Sequence, residues 1–174
     1  GDLAAARPAL EDALLRAREI GVPVAAFGAR VVEASIRAGD EEAVLEWMNA
    51  LLSTRMPIEA SDWLRVLEAD LEVAKGNVAT ARAKYAAIAE ARADSPLGTL
   101  AQLRWLRHTD LRRGDREFGW LRQTAAAAAP PFSVYAKLVM ARVLVDADQL
   151  VPALDLLSAA AFERAASTLE VPIG

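Results

Sequence analysis

The densest run of reactive side chains is "LRWLRHTDLRRGD", Leu103 to Asp115, which holds four arginines and the only histidine of the chain. Arg104, His108 and Arg112 are four residues apart, so on one helix they share a face. Such a set suits proton transfer or metal ligation by the imidazole, forked binding of carboxylates by guanidinium groups, or attraction to nucleic acid. The rest of the chain does not support the first of these. His108 has no second histidine at metal-ligand spacing, and there is no cysteine to serve as ligand or nucleophile. Glycines occur singly rather than in phosphate-cradling loops, and no serine lies in a GxSxG elbow. The carboxylate pairs Glu11-Asp12, Glu41-Glu42 and Asp70 with Glu72 read as solvated faces or as charges favoured at helix starts. No enzymatic activity and no cofactor or metal are expected.

The chain has 174 residues, of which 54% are hydrophobic and 25% charged, enough apolar surface for one domain, 1–174, with a continuous core. Its formal charge of −4 gives no general attraction to a nucleic-acid backbone, so direct binding of nucleic acid is not expected. The most apolar stretch, Phe132 to Val145, is too short to span a bilayer and contains Lys137 and Arg142. It reads as a buried helix, and no membrane insertion is expected. The start at Gly1 without an initiator methionine suggests a processed chain or a piece of a longer protein, which leaves the compartment undetermined.

Positioning comes from a regular punctuation. Gly1-Asp2, Gly39-Asp40, Gly76-Asn77 and Gly114-Asp115 recur at intervals of 38, 37 and 38 residues. A glycine just past a helix end can close it in the left-handed conformation, and the following Asp or Asn can cap the next helix. A fifth corner without glycine is expected at "DADQ", Asp146 to Gln149. Prolines at Pro23, Pro57, Pro96 and Pro130-Pro131 mark the opposite joints. Helical periodicity between these signals predicts nine helices, over 3–20, 22–38, 40–53, 58–75, 77–93, 95–113, 115–129, 131–146 and 148–163, followed by a tail.

"GDLAAARPALEDA" from Gly1 aligns without a gap on "GNVATARAKYAAI" from Gly76, matching Leu3 with Val78, Ala6 with Ala81 and Leu10 with Tyr85. Helix pairs of this length with Gly-Asp corners resemble tetratricopeptide repeats. The opening forty residues most resemble the slightly lengthened repeats of bacterial multidomain regulators and scaffold proteins. The resemblance implies an all-α fold, a right-handed superhelix (solenoid) of about four helix-turn-helix hairpins. It also implies a concave groove, lined by the first helix of each hairpin, that holds a peptide or a partner helix.

Groove positions in this resemblance fall thirteen, ten, six, three and two residues before the corner glycine. That count selects Glu33 and Arg37 before Gly39, Trp63 and Asp70 before Gly76, and Arg104, His108 and Arg112 before Gly114. If Asp148 stands where the last glycine would be, it adds Tyr135 and Arg142. The implied groove is acidic early, apolar at Trp63 and basic late, fitting a ligand with an acidic end. In the alternative reading the arginines are solvated and paired with Asp110, Asp115 and Glu117. Trp47, Trp105 and Trp120 are expected between helices.

The leading expectation is a non-enzymatic protein-protein interaction scaffold whose partner is a protein or peptide. The alternative is a regulatory or sensor segment of a larger signalling protein or transcriptional regulator. Self-association through exposed end hairpins is a further expectation, because an uncapped repeat end leaves an apolar face open.

Overall fold

The computed structural model describes residues 12–13, 16, 24–52 and 58–169. These residues are all-helical. Eight helices are defined among them: α1 (Val24–Ala38), α2 (Glu41–Leu52), α3 (Ile58–Ala74), α4 (Val78–Ala91), α5 (Pro96–Arg107), α6 (Arg116–Ala127), α7 (Phe132–Asp146) and α8 (Leu150–Leu169). The expected helix 3–20 lies outside the described residues except at Asp12, Ala13 and Arg16, which are helical. Pro23 and Pro57 also lie outside them. The chain divides into two compact units, Gly1–Ile88 and Ala89–Gly174, with the boundary inside α4.

Three corners share one bonding pattern. The N–H of Gly39 donates to Ile36 and that of Asp40 to Ser35; Gly76 and Asn77 donate to Val73 and Glu72; Asp148 and Gln149 donate to Val145 and Leu144. Each is a Schellman closure, which needs a left-handed residue at its centre. Gly39 and Gly76 take φ of 72° and 81°, and Asp148 takes 58°. Asp148 therefore fills the glycine position of the expected fifth corner. Asp40 also caps the next helix, its Oδ1 accepting the Ala43 N–H at 3.0 Å. Glu41 and Glu42 follow in the first turn, where the helix dipole favours them.

The first unit packs α1 against both α2 and α3. Val32, Val44, Met48, Leu51, Leu64, Leu67 and Leu71 form its core, with Trp47 and Trp63 against the edge. In the second unit α7 packs against α5, α6 and α8. Its core joins Leu103, Leu106, Leu111, Phe118, Leu121, Val139 and Val143, flanked by Trp105 and Trp120. The three tryptophans expected between helices are found there. At the start of α5, the Ser95 hydroxyl accepts the Gly98 N–H at 3.0 Å and Pro96 occupies the first turn. Gly98 is buried there, and any side chain at this position would run into the Arg92 carbonyl.

One boundary differs from expectation. The sequence pattern carries a helix to residue 113, but α5 stops at Arg107 and residues 108–115 form an irregular turn. His108 and Thr109 donate to Trp105 and Leu106, a tightened last turn, and the Thr109 hydroxyl bonds back to the Trp105 carbonyl at 2.9 Å. Leaving the helix allows Leu111 to enter the core, where it is buried. Gly114 is not left-handed, so this corner lacks the Schellman form of the other three. Asp115 closes it instead: its Oδ2 accepts the Arg112 N–H at 2.7 Å. α8, by contrast, runs to Leu169, past the expected end at 163.

Candidate functional site

The acidic and aromatic candidates belong to the first unit. Glu33 on α1 and Trp63 and Asp70 on α3 are each half-buried. Trp63 lies against the Val32–Leu64 core and so contributes to packing. Asp70 accepts a hydrogen bond from the Tyr85 hydroxyl of α4, and beside it Lys84 pairs with Glu68. Asp70 is thus engaged between adjacent helices. Arg37 lies in the last turn of α1, and its side chain is outside the described residues.

The basic candidates belong to the second unit, and there the structure gathers several of them around the end of α5. The last carbonyls of a helix lack intrahelical donors. Arg142, reaching across from α7, supplies them: its guanidinium donates to the carbonyls of Thr109 at 2.7 Å and Leu106 at 3.4 Å, and also to that of Arg107. Its cationic charge also complements the negative end of the helix dipole. The residue selected from sequence as a groove cation is therefore a helix-capping side chain. Asp146, one turn along α7, lies 3.8 Å from Nε.

Tyr135 is positioned on the same helix, two turns before Arg142. It packs against the core, and its hydroxyl accepts from Arg107 Nη1 at 3.4 Å. His108 is the residue that ends α5, lying between two of the captured carbonyls, and is half-buried. Arg104 is half-buried one turn earlier. Arg112 is exposed and lies beyond the helix, so the face expected for Arg104, His108 and Arg112 does not extend to it. The i, i+4 spacing implies a shared face only while the helix continues.

Two side chains not selected from sequence join this neighbourhood. Arg107 is exposed and reaches Tyr135, and Arg113 donates to Gln149 Oε1 at 2.6 Å. The second contact ties the irregular turn to the Asp148 corner. The two pairs are 28 and 36 residues apart in sequence. Around the end of α5 five arginines, Arg104, Arg107, Arg112, Arg113 and Arg142, stand with one histidine and the carboxylates Asp110, Asp115, Asp146 and Asp148. The region is mildly basic and rich in guanidinium donors, suited to exposed carboxylates rather than to a dense run of phosphates.

Farther along α7, Lys137 and the buried Ser133 both bond Glu163 of α8. These bonds, from the ammonium first and the hydroxyl second, hold the Glu163 carboxyl below its ordinary pKa. Among the described residues no group of three His, Asp or Glu side chains is placed to hold a metal ion. No helix among them is long and apolar enough to cross a membrane. No protein-family model, curated protein or solved structure matches the chain.

Proposed function

We propose that this chain is a non-enzymatic protein-binding module of the tetratricopeptide type, in which the hairpins of each unit stack as in a right-handed superhelix. Its partner would be a peptide, a helix or a domain with exposed carboxylates. The observation that carries the reading is the recurrence of one helix-closing corner at Gly39, Gly76 and Asp148, with first helices packed on first helices: α1 on α3 and α5 on α7. Repeats of that kind leave one face of each first helix uncovered by its own hairpin. Half-buried ionisable side chains at Glu33, Arg104 and His108 support a polar surface over a sealed apolar one.

The test compares wild type with the Arg104→Ala/His108→Ala/Arg112→Ala variant. Each is immobilised, exposed to extract from the native source and analysed by quantitative mass spectrometry after far-UV circular dichroism has shown equal helicity. A protein retained by wild type and lost from the variant is the expected result. Identical retention by both would remove the basic surface from the binding site.

A further inference from the structure

We propose that a second copy of this chain covers α8, the two α8 helices packing antiparallel across a two-fold axis. The inward face of α8 is ordinary: Ala153 and Ala160 are buried and Leu156 is half-buried against α7 and its core. Its outward face is not. Leu150, Val151, Leu154, Leu157 and Phe162 are exposed, from 40% at Leu157 to 79% at Phe162, with exposed Ala161 and Ala165 along the same stripe. Only Asp155, Glu163 and Arg164 are charged among the twenty residues of α8, and Glu163 is bonded to Lys137 and Ser133 of α7.

The Gly39 corner shows that Leu150, Val151 and Leu154 are not positions that a following repeat buries, whereas Leu157 falls in register with Met48, which is buried in the core that α3 completes. Gly39 and Asp148 make the same closure, so counting from them sets Leu150, Val151, Leu154, Asp155 and Ser158 in register with Glu41, Glu42, Leu45, Glu46 and Asn49 of α2. All five α2 residues are exposed although α3 follows and packs on α2. There the outward face is charged, as a solvated surface should be. On α8 the same positions are mostly apolar.

Size and shape favour a second copy. The five large side chains present roughly 600 Å² of surface, the upper end of what one patch on a monomer exposes. Two such stripes face to face would bury up to about 1,200 Å² in total, the lower edge of stable protein interfaces. With the two-fold axis at Ser158, Leu154 of one copy meets Phe162 of the other and Val151 meets Ala165, so large residues oppose large or small ones without conflict. The small Ser158 and Ala161 near the axis permit close approach. A two-fold contact uses one patch twice and closes on itself, so it makes a dimer and not a fibre.

The chain contains no cysteine, which makes a direct test simple. Ser158→Cys, at the axis, is expected to form a disulfide-linked dimer under mild oxidation, whereas Ala83→Cys, at an exposed position on α4, is not. Light scattering over a concentration series is expected to show a monomer-dimer equilibrium for wild type. In Leu154→Glu/Phe162→Glu, where like charges would meet across the axis, that equilibrium should weaken by at least about tenfold at unchanged helicity. A wild type that stays monomeric throughout, a dimer undiminished in the double variant, or cross-linking of Ser158→Cys no faster than of Ala83→Cys would overturn the proposal. The first of these results, with the stripe intact, would assign α8 to a different partner.

Discussion

Arg142, on α7, donates its guanidinium to the main-chain carbonyl of Thr109 at 2.7 Å, and to those of Leu106 and Arg107, thereby ending a helix some thirty-five residues away in sequence. Arg142→Ala removes the guanidinium donor from the Thr109 and Arg107 carbonyls, while Leu106 keeps the Thr109 N–H. The expected cost is about 1–3 kcal/mol, the range for a lost bond to a charged group that strands its partners. Chemical denaturation measures it, and hydrogen exchange should show faster opening at residues 106–111. Arg142→Lys is expected to recover only part of the loss, because an ammonium cannot fork across three carbonyls.

Two glycines on neighbouring helices should respond to alanine with opposite sign. At Gly98 a methyl group would meet the Arg92 carbonyl, whereas at Gly119 it meets nothing within 4 Å. Gly119→Ala is expected to stabilise by up to about 1 kcal/mol through helix propensity. Gly98→Ala should instead destabilise by about 1–3 kcal/mol, the usual effect of overpacking. Thermal unfolding of the two variants beside wild type gives both signs in one experiment.

The corners offer a second pair of opposite effects. Asp148 holds φ of 58°, a conformation that costs a non-glycine residue on the order of 1 kcal/mol. Asp148→Gly should therefore raise the unfolding midpoint. Gly76→Ala, at φ of 81°, should lower it by a similar amount. Equal stability in all three chains would mean that the closure geometry does not govern these turns.

Acid should loosen the contact between α7 and α8. A carboxyl whose native pKa is depressed, as that of Glu163 is, contributes stability in full above the ordinary glutamate value of about 4.3 and loses it as pH falls through the lower native value. Denaturant midpoints measured from about pH 6 down to pH 3 should fall less steeply in Glu163→Gln than in wild type. At neutral pH the same variant should be less stable, because it loses the ionic partner of Lys137.

Local signals were legible in the sequence because their causes are local. A left-handed residue and its Schellman bonds involve six consecutive residues, so Gly39 and Gly76 could be read directly, and Asp148 could be expected from interval alone. Helix starts at Asp40 and Pro96 follow from a cap and a proline within a few positions, whereas Asp115 precedes α6 without a side-chain cap bond. The all-helical class follows from the periodicity between them. The neighbourhood of the site was read with less success. Arg104, His108 and Arg112 have the spacing of one face, yet the backbone leaves the helix after Arg107.

That departure was decided in three dimensions. Residues 108–113 contain nothing that forbids a helix. Its end depends on Leu111 finding a place in the core and on Arg142 occupying the last carbonyls, and both partners are supplied by distant parts of the chain. The same holds for Trp63 and Asp70, whose surroundings come from α1, α2 and α4, and for the stripe on α8. Its apolar residues are visible in the sequence, but which of them face outward depends on how α8 lies against α7. The sequence by itself determined where the chain turns and that it is helical. Only tertiary packing decided which charged side chains are committed to the fold, because burial and helix capping are shared between segments that no local pattern connects.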